Sequence, residues 1–158
     1  MKYRILSDNE LKELEGEFKH FLITNNVYTE EWEELNKKKD KKVLELVEMF
    51  SDIVIEKALK NIKYLEHITP LDIKSFKCED EQMILIGIAS KNKNIDFTKD
   101  ILSDFADDLD IFRMTKPFYK DRELEVFELL NSGCSIINEE RFNKLEMAYN
   151  YSSKPMKN

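Results

Sequence analysis

The stretch DKKVLELVEMFSDIVIEKALKNI, residues 40–62, decides the fold because its apolar side chains recur at helical spacing for about six turns. One apolar stripe consists of Val43, Val47, Phe50, Val54 and Ala58, and Leu46 and Ile53 widen it. A second stripe beside it consists of Leu44, Ile55, Leu59 and Ile62. Two stripes leave little of the circumference polar, so the pattern predicts a core helix over residues 41–62 that is covered on most sides. Asp40 has the side chain of an N-cap for this helix.

The polar part of this helix is a narrow line of carboxylates. Its members are Glu45, Glu48, Asp52 and Glu56. Their spacing of three and four places them along one edge of the helix. The sequence does not decide whether this acidic line is a solvated face or a site.

Length and composition indicate a single folded domain. The chain has 158 residues, of which 42% are hydrophobic and 36% charged, enough apolar material for one core. We expect one α+β domain over residues 1–151, followed by a flexible tail at 152–158. A Gly-rich phosphate loop and a Pro-rich linker are both excluded by three Gly and three Pro.

Charge and cysteine content bear on partners and compartment. A net charge of −7 repels phosphate backbones and anionic membranes. Cys78 and Cys134 lack the spacing of a secreted disulfide framework, so we expect reduced thiols and a cytoplasmic location. The sequence contains neither a signal-peptide core nor an apolar window of membrane-spanning length, so we expect no membrane association.

Capping patterns locate the helices before the central one. Ser7 and Glu10 form a capping-box pattern, and the apolar face that follows continues to Asn25. Thr29, followed by two glutamates, predicts the start of a second, short helix.

Beyond residue 62 the period becomes that of strands. Residues 63–68, 72–78 and 83–89 predict a small antiparallel sheet, and residues 111–114 are a candidate fourth strand. The order of the strands does not follow from the sequence.

Further helices are predicted towards the C-terminus. Thr98 is a candidate cap for a helix that carries Ile101, Leu102, Phe105 and Leu109 on one side. Residues 121–131 predict a helix that ends at Gly133, and Asn138 is the predicted cap of a last helix. The fold class is therefore α+β and helix-rich: N-terminal helices with a long central helix packed on a small antiparallel sheet, then C-terminal helices.

The chain resembles a family of small acidic bacterial proteins known only as a domain of unknown function. Four segments carry the resemblance: the opening MKYRILSDNELKELEGEFKHFL, the central FSDIVIEKAL followed by KYLEH, the hairpin with FKC, and the late RELEVFELLNSG. The family tends to have an aromatic residue where this chain has Ile55, and a glycine near Lys57. The resemblance implies no catalytic residue or ligand.

Metal-dependent and nucleophilic catalysis are the two enzymatic chemistries that these residue types could support. Helical bundles build two-metal sites from acids and Glu-x-x-His pairs, but Glu17 and His20 are the one such pair here, so a solvated acidic line is favoured. His67 is interpreted as a half-buried strand residue. Cys78 and Cys134 are interpreted as core residues rather than nucleophiles.

A basic run and several tyrosines are the remaining candidates for binding. Lys37, Lys38, Lys39, Lys41 and Lys42 could contact phosphate or pair with neighbouring acids. Tyr119, Tyr149 and Tyr151 could anchor a partner or cover the core.

We therefore expect a non-enzymatic cytoplasmic protein-interaction or regulatory module that uses an acidic and aromatic surface. No catalytic residue, metal ligand or cofactor is assigned. We expect another protein as partner rather than nucleic acid or a membrane, and a homodimer stays open. The alternative is a metal-dependent enzyme acting on nucleotides or nucleic acid through the carboxylates of the central helix.

Overall fold

The computed structural model describes residues 1–100 and 102–152, without the side chains of Leu102, Ser103 and Phe105. About 49% of the chain is helical and 22% is strand, which confirms the α+β class and the excess of helix. The chain divides into two compact units, Met1–Leu59 and one that begins at Lys60. The prediction of a single domain over residues 1–151 stays a prediction. Ser152, which we assigned to the tail, lies in the last helix, and the rest of that tail, 153–158, lies outside the described residues.

The first unit is helical. Its helices are α1 (Asp8–Glu13), α2 (Glu15–Thr24), α3 (Thr29–Lys37) and α4 (Lys41–Lys60). The buried side chains of Leu22, Val27 and Leu46 form its core. Three aromatic residues pack against that core: Phe18, Phe21 and Trp32. The ring centroid of Phe50 lies 4.9 Å from that of Phe18.

The N-terminal helix begins where the sequence places it but is interrupted. Ser7 Oγ accepts a hydrogen bond from Glu10 N at 3.2 Å, which confirms the cap. The reciprocal half of the capping box is not formed, because the Glu10 carboxylate binds Arg4 Nη1 instead, at 3.1 Å. The single predicted helix is in fact two, which meet at Leu14 with φ −102° and ψ 21°.

The next two helix starts differ from each other. The predicted start of the second helix is confirmed, because α3 begins at Thr29. Thr29 is not its cap, however, since the N-cap is Tyr28, which makes no side-chain capping bond. Asp40 does cap α4, since its Oδ1 accepts from Lys42 N at 2.9 Å. Between the two helices, Lys39 has a left-handed φ of 51°.

The central helix is less covered than its sequence predicts. It ends at Lys60, so Ile62 lies outside it. Leu46, Phe50, Ser51, Ile55 and Leu59 are its buried residues. Leu44 and Ile53 are each 54% exposed, so the expectation of a helix covered on most sides is wrong. Apolar spacing marks the residues that can be buried, whereas the neighbouring elements decide which of them are.

The second unit contains a five-stranded antiparallel sheet in the order β4-β3-β2-β1-β5. Its strands are β1 (Tyr64–Ile68), β2 (Asp72–Cys78), β3 (Gln82–Ser90), β4 (Leu109–Pro117) and β5 (Ser135–Ile136). The first three confirm the prediction to within a residue or two. β4 is longer than predicted, and β5 was not predicted at all.

Helices α5 (Arg122–Asn131) and α6 (Glu139–Ser152) follow the sheet. Gly133, with φ 110°, ends the first of them as predicted. Asn138 Oδ1 accepts from Arg141 N at 2.8 Å and so caps α6. The helix expected after Thr98 is instead a 3-10 helix, Leu102–Asp108, and Leu109 begins β4. Ile101, assigned to that helix, lies outside the described residues.

One face of the sheet carries the core of this unit. Ile84, Ile86 and Ile88 alternate along β3 and are all buried. They pack in one cluster with Ile73 on β2 and with Phe142 and Leu145 on α6. Strand alternation therefore places Phe112 and Gly87, which are register partners, on the opposite face.

The ring of Phe112 leaves no room for a side chain at residue 87, so a glycine is needed there. A Cβ built at this position would lie 2.1 Å from Cζ of Phe112, far inside contact distance, so the ring lies across the glycine. A side chain at residue 87 would have to displace it.

We expect Gly87→Ala to be more destabilising in the wild-type chain than in a Phe112→Ala background, by about 1 kcal/mol. The reason is that the ring which the new methyl displaces is absent from the second background. Chemical denaturation of the four chains of this double-mutant cycle measures the difference.

Gly16→Ala is the matched control, because nothing lies within 4 Å of a Cβ built there. It should stabilise α2 by about 0.5–1 kcal/mol and show no coupling to Phe112→Ala. A zero coupling energy between positions 87 and 112 would contradict the contact.

Candidate binding site

The N-terminal segment, residues 2–6, is bound to the central helix through the acidic line. Both oxygens of Asp52 accept backbone N–H groups, one from Lys2 at 2.7 Å and one from Tyr3 at 3.0 Å. Hydrogen bonds to a carboxylate are stronger than neutral ones. Asp52 therefore holds the chain terminus against α4.

Glu56 extends this contact by one helical turn. Its carboxylate accepts hydrogen bonds from the Tyr3 hydroxyl and from Lys2 Nζ, the latter at 3.3 Å. Burial, followed by the hydrogen bond to Glu56, raises the pKa of Tyr3 to about 12. A neutral phenol is favoured here because ionisation would remove the donated proton and place a second negative charge beside the carboxylate.

A buried serine holds the other end of the same segment. Ser51 Oγ accepts from Leu6 N at 3.0 Å and donates to Val47 O at 2.6 Å. This pair of bonds satisfies a hydroxyl that is fully buried. Ile5 and Leu6 are thereby placed beside α4.

A cavity of about 480 Å³ lies within the helical unit. Eight apolar side chains line it: Ile5, Leu6, Leu11, Phe18, Trp32, Val43, Leu44 and Val47. Four polar residues complete the lining: Asp8, Asn36, Lys39 and Asp40. We call this space the helical cavity. Its volume lies within the range of known ligand sites, and it is an open groove rather than an enclosed space.

Aromatic packing shapes one wall of the helical cavity. The rings of Phe18 and Trp32 meet edge to face, with centroids 5.2 Å apart and planes at 86°. Trp32 is half-buried and is the single tryptophan of the chain. Its fluorescence therefore reports on the surroundings of this one lining residue.

The acidic line is not wholly solvated. Asp52 and Glu56 bind the N-terminal segment, Glu48 is half-buried and Glu45 is exposed. Among the residues that the structure describes, Glu17 and His20 belong to no group of three ligand atoms close enough to share a metal ion. Sequence reasoning missed the structural use of the acids because their partners lie about fifty residues away.

The lysine run occupies the corner between α3 and α4 and is exposed throughout. Lys38 Nζ lies 3.0 Å from Glu34 Oε1, one helical turn earlier. Lys39 lines the helical cavity. Lys38 thus pairs with a neighbouring acid, which is one of the two roles that the sequence suggests for the lysine run.

The chain belongs to a family of unknown function, DUF6495. The family model matches residues 1–150. No curated protein and no solved structure matches the chain. The resemblance to a domain of unknown function is therefore confirmed.

In this DUF6495 chain the two cysteines are buried and free. Burial raises the pKa of Cys78 to about 11, although nearby Arg122 opposes the shift. Burial raises the pKa of the Cys134 thiol as well. Since the thiolate is the nucleophile, neither sulfur has the character of a catalytic cysteine.

His67 and Glu66 point to opposite faces of β1, as neighbours in a strand do. His67 is half-buried, as predicted. Glu66 is buried, and its Oε2 accepts from Ser75 Oγ at 2.9 Å and from Arg141 Nε at 3.1 Å. Removing either donor would leave a buried carboxylate poorly satisfied.

A buried arginine joins the ends of two strands. Arg122 donates to Ile62 O at 2.5 Å, Cys78 O at 3.1 Å and Glu79 O at 2.9 Å. Sequence reasoning missed both Arg122 and Arg141, since their spacing resembles that of any charged residue on a helix surface.

None of the helices in the described part of the chain combines the length and the apolarity that crossing a bilayer requires. Tyr119 and Tyr151 are largely exposed, whereas Tyr149 is half-buried.

We expect Tyr3→Phe to lower the free energy of unfolding at neutral pH by about 1 kcal/mol, through loss of the bond to Glu56. The wild type should also lose stability between about pH 10 and pH 12. The folded state retains a phenolic proton up to about pH 12, whereas the unfolded state releases it near 10.0, the ordinary value. Deprotonation therefore favours unfolding in that window.

Urea titrations across this pH range measure the effect, with Tyr151→Phe as control because that side chain is 83% exposed. The pH-dependent loss should be smaller in Tyr3→Phe and unchanged in Tyr151→Phe. Equal pH profiles for the two variants would disprove a half-buried Tyr3 that is hydrogen-bonded to Glu56.

Proposed function

We propose that this chain is a non-enzymatic protein-interaction module whose helical cavity binds a short apolar segment of a partner protein. The observation that carries the proposal is the cavity itself, about 480 Å³ with eight apolar lining residues. A helix or turn with two or three large apolar side chains matches such a space.

The cavity is accessible at its rim. Leu44 is 54% exposed and Ile5 is 39% exposed, and both line the cavity. Burial of such side chains by a partner removes apolar surface from water. Trp32 and Phe18 add the aromatic wall that binding energy commonly depends on.

The charge of the helical unit favours a basic partner segment. Residues 1–59 include fourteen acidic and ten basic residues. Asp8 is exposed and lines the cavity, where it can accept a hydrogen bond from an arginine or lysine. Asp40 already caps α4, so Asp8 is the carboxylate that we assign to the partner.

The absence of an enzymatic role is part of the proposal. It is supported by the pKa of Cys78, which burial raises to about 11, and by the engagement of Asp52 and Glu56 with the N-terminal segment. The proposed location is the cytoplasm, which is consistent with two free cysteines.

A pair of matched variants tests the cavity. Leu44 and Ile53 lie on the same helix and are equally exposed, but Leu44 lines the cavity and Ile53 does not. Peptides selected from a random displayed library against the wild type should lose about tenfold or more in affinity for Leu44→Asp. They should bind Ile53→Asp as they bind the wild type.

Trp32 emission provides the direct readout, since a bound apolar side chain changes its surroundings. The selected peptides should combine large apolar residues with a lysine or arginine, and Asp8→Asn should weaken them. Peptides that bind Leu44→Asp as tightly as the wild type, or that leave Trp32 emission unchanged, would refute the proposal.

A further inference from the structure

Strand β4 forms an edge of the sheet and has β3 as its one neighbour among the described residues. It is nine residues long, and all its residues except Leu109 and Ile111 are exposed. Two of the exposed side chains are large and apolar: Phe112 at 37% and Met114 at 55%. A long edge of this kind can pair with another strand.

The register between β3 and β4 determines which backbone groups this edge offers. Lys91 N donates to Asp108 O, and Phe118 N donates to Glu81 O, so the even-numbered residues of β4 bond to β3. The odd-numbered residues therefore direct their N–H and C=O groups outward. Pro117 is one of these, and the outward position explains why a residue without an N–H is accommodated there.

Charged residues on a strand edge ordinarily oppose pairing. In β4 the three charges are Asp110, Arg113 and Lys116. Asp110 and Lys116 each lie three residues from Arg113, on opposite sides of it. If two such strands run antiparallel and are centred on Arg113, Asp110 of each strand faces Lys116 of the other.

We propose that β4 pairs with β4 of a second copy of this chain, antiparallel, about a two-fold axis at Arg113. The outward backbone groups of Ile111, Arg113 and Thr115 then meet those of Thr115, Arg113 and Ile111 of the second copy in hydrogen-bonded pairs. Pro117 lies at the end of the paired segment and donates no bond there. The two sheets become one continuous sheet. Each copy contributes the same surface, as a closed dimer requires.

The side chains fit this register on the face that carries Phe112. Asp110 lies opposite Lys116 of the second copy, and symmetry repeats the pair. Phe112 lies opposite Met114 of the second copy, also twice. These positions are the non-hydrogen-bonded pairs, in which facing side chains are closest. The register therefore brings opposite charges together and also buries the exposed apolar side chains against each other.

The centre of the register brings the two copies of Arg113 together on the other face. Each of these arginines lies beside a carboxylate of its own chain, since Arg113 Nη2 is 3.8 Å from Glu146 Oε1. Two arginines and two glutamates then alternate in sign around the axis. This arrangement limits the repulsion between the arginines.

Sedimentation equilibrium of the full chain tests the dimer. The mass should rise with concentration towards twice the 18.9 kDa of one chain. A chain that stays monomeric over the whole concentration range would overturn the proposal.

Charge reversal tests the register. Asp110→Lys and Lys116→Asp should each weaken self-association by about tenfold, because two attractive pairs become repulsive. A mixture of the two variants should recover wild-type association, since every Lys then faces an Asp. Failure of the mixture to recover, with both variants folded by circular dichroism, would overturn the register.

A backbone variant tests the hydrogen bonds. Thr115→Pro removes an outward N–H without removing a bond to β3, and it should abolish association while the chain remains folded. Thr115→Val keeps that N–H and should associate like the wild type. If Thr115→Pro does not fold, the charge-reversal mixture decides the outcome independently.

Discussion

The register between β3 and β4 is the constraint on which the properties of the sheet unit depend. Nine residue pairs connect the two strands without a bulge, so one choice of register assigns every side chain to a face and every backbone group to a direction. It places Phe112 across Gly87 and directs the nitrogen of Pro117 away from β3. If β4 shifted by one residue along β3, both placements would be reversed and Ile111, which packs against the core, would turn to the other face.

The helical unit depends on a different kind of contact, between the start of the chain and its central helix. A line of acids on a helix is usually a solvated face, and here two of its members instead bind Lys2 and Tyr3. This contact also shapes the helical cavity, because the segment that it holds supplies Ile5 and Leu6 to the lining. Asp52 and Glu56 therefore influence the shape of the helical cavity indirectly, because they position the N-terminal segment that forms part of its lining.

The successes and failures of sequence reasoning follow the range of the interactions concerned. Asp40, Asn138 and Gly133 were identified correctly because a cap is completed within a few residues along the chain. Thr29 shows the limit of such a signal, since an acceptor side chain does not cap a helix unless the backbone turns at that residue. β5 was missed because a two-residue strand has no period, and it forms only where β1 offers a partner.

The sequence by itself determined the class of the fold, most helix and strand positions, and the residue types available to a site, because periodicity and capping are local properties of the chain. Only the tertiary structure decided which apolar residues of α4 are buried, what Asp52 and Glu56 bind, and that Trp32, Phe18 and Leu44 share one cavity. Those outcomes join residues that are distant in sequence. Their distances are set by how the elements pack, and the packing energy of one element depends on all its neighbours together.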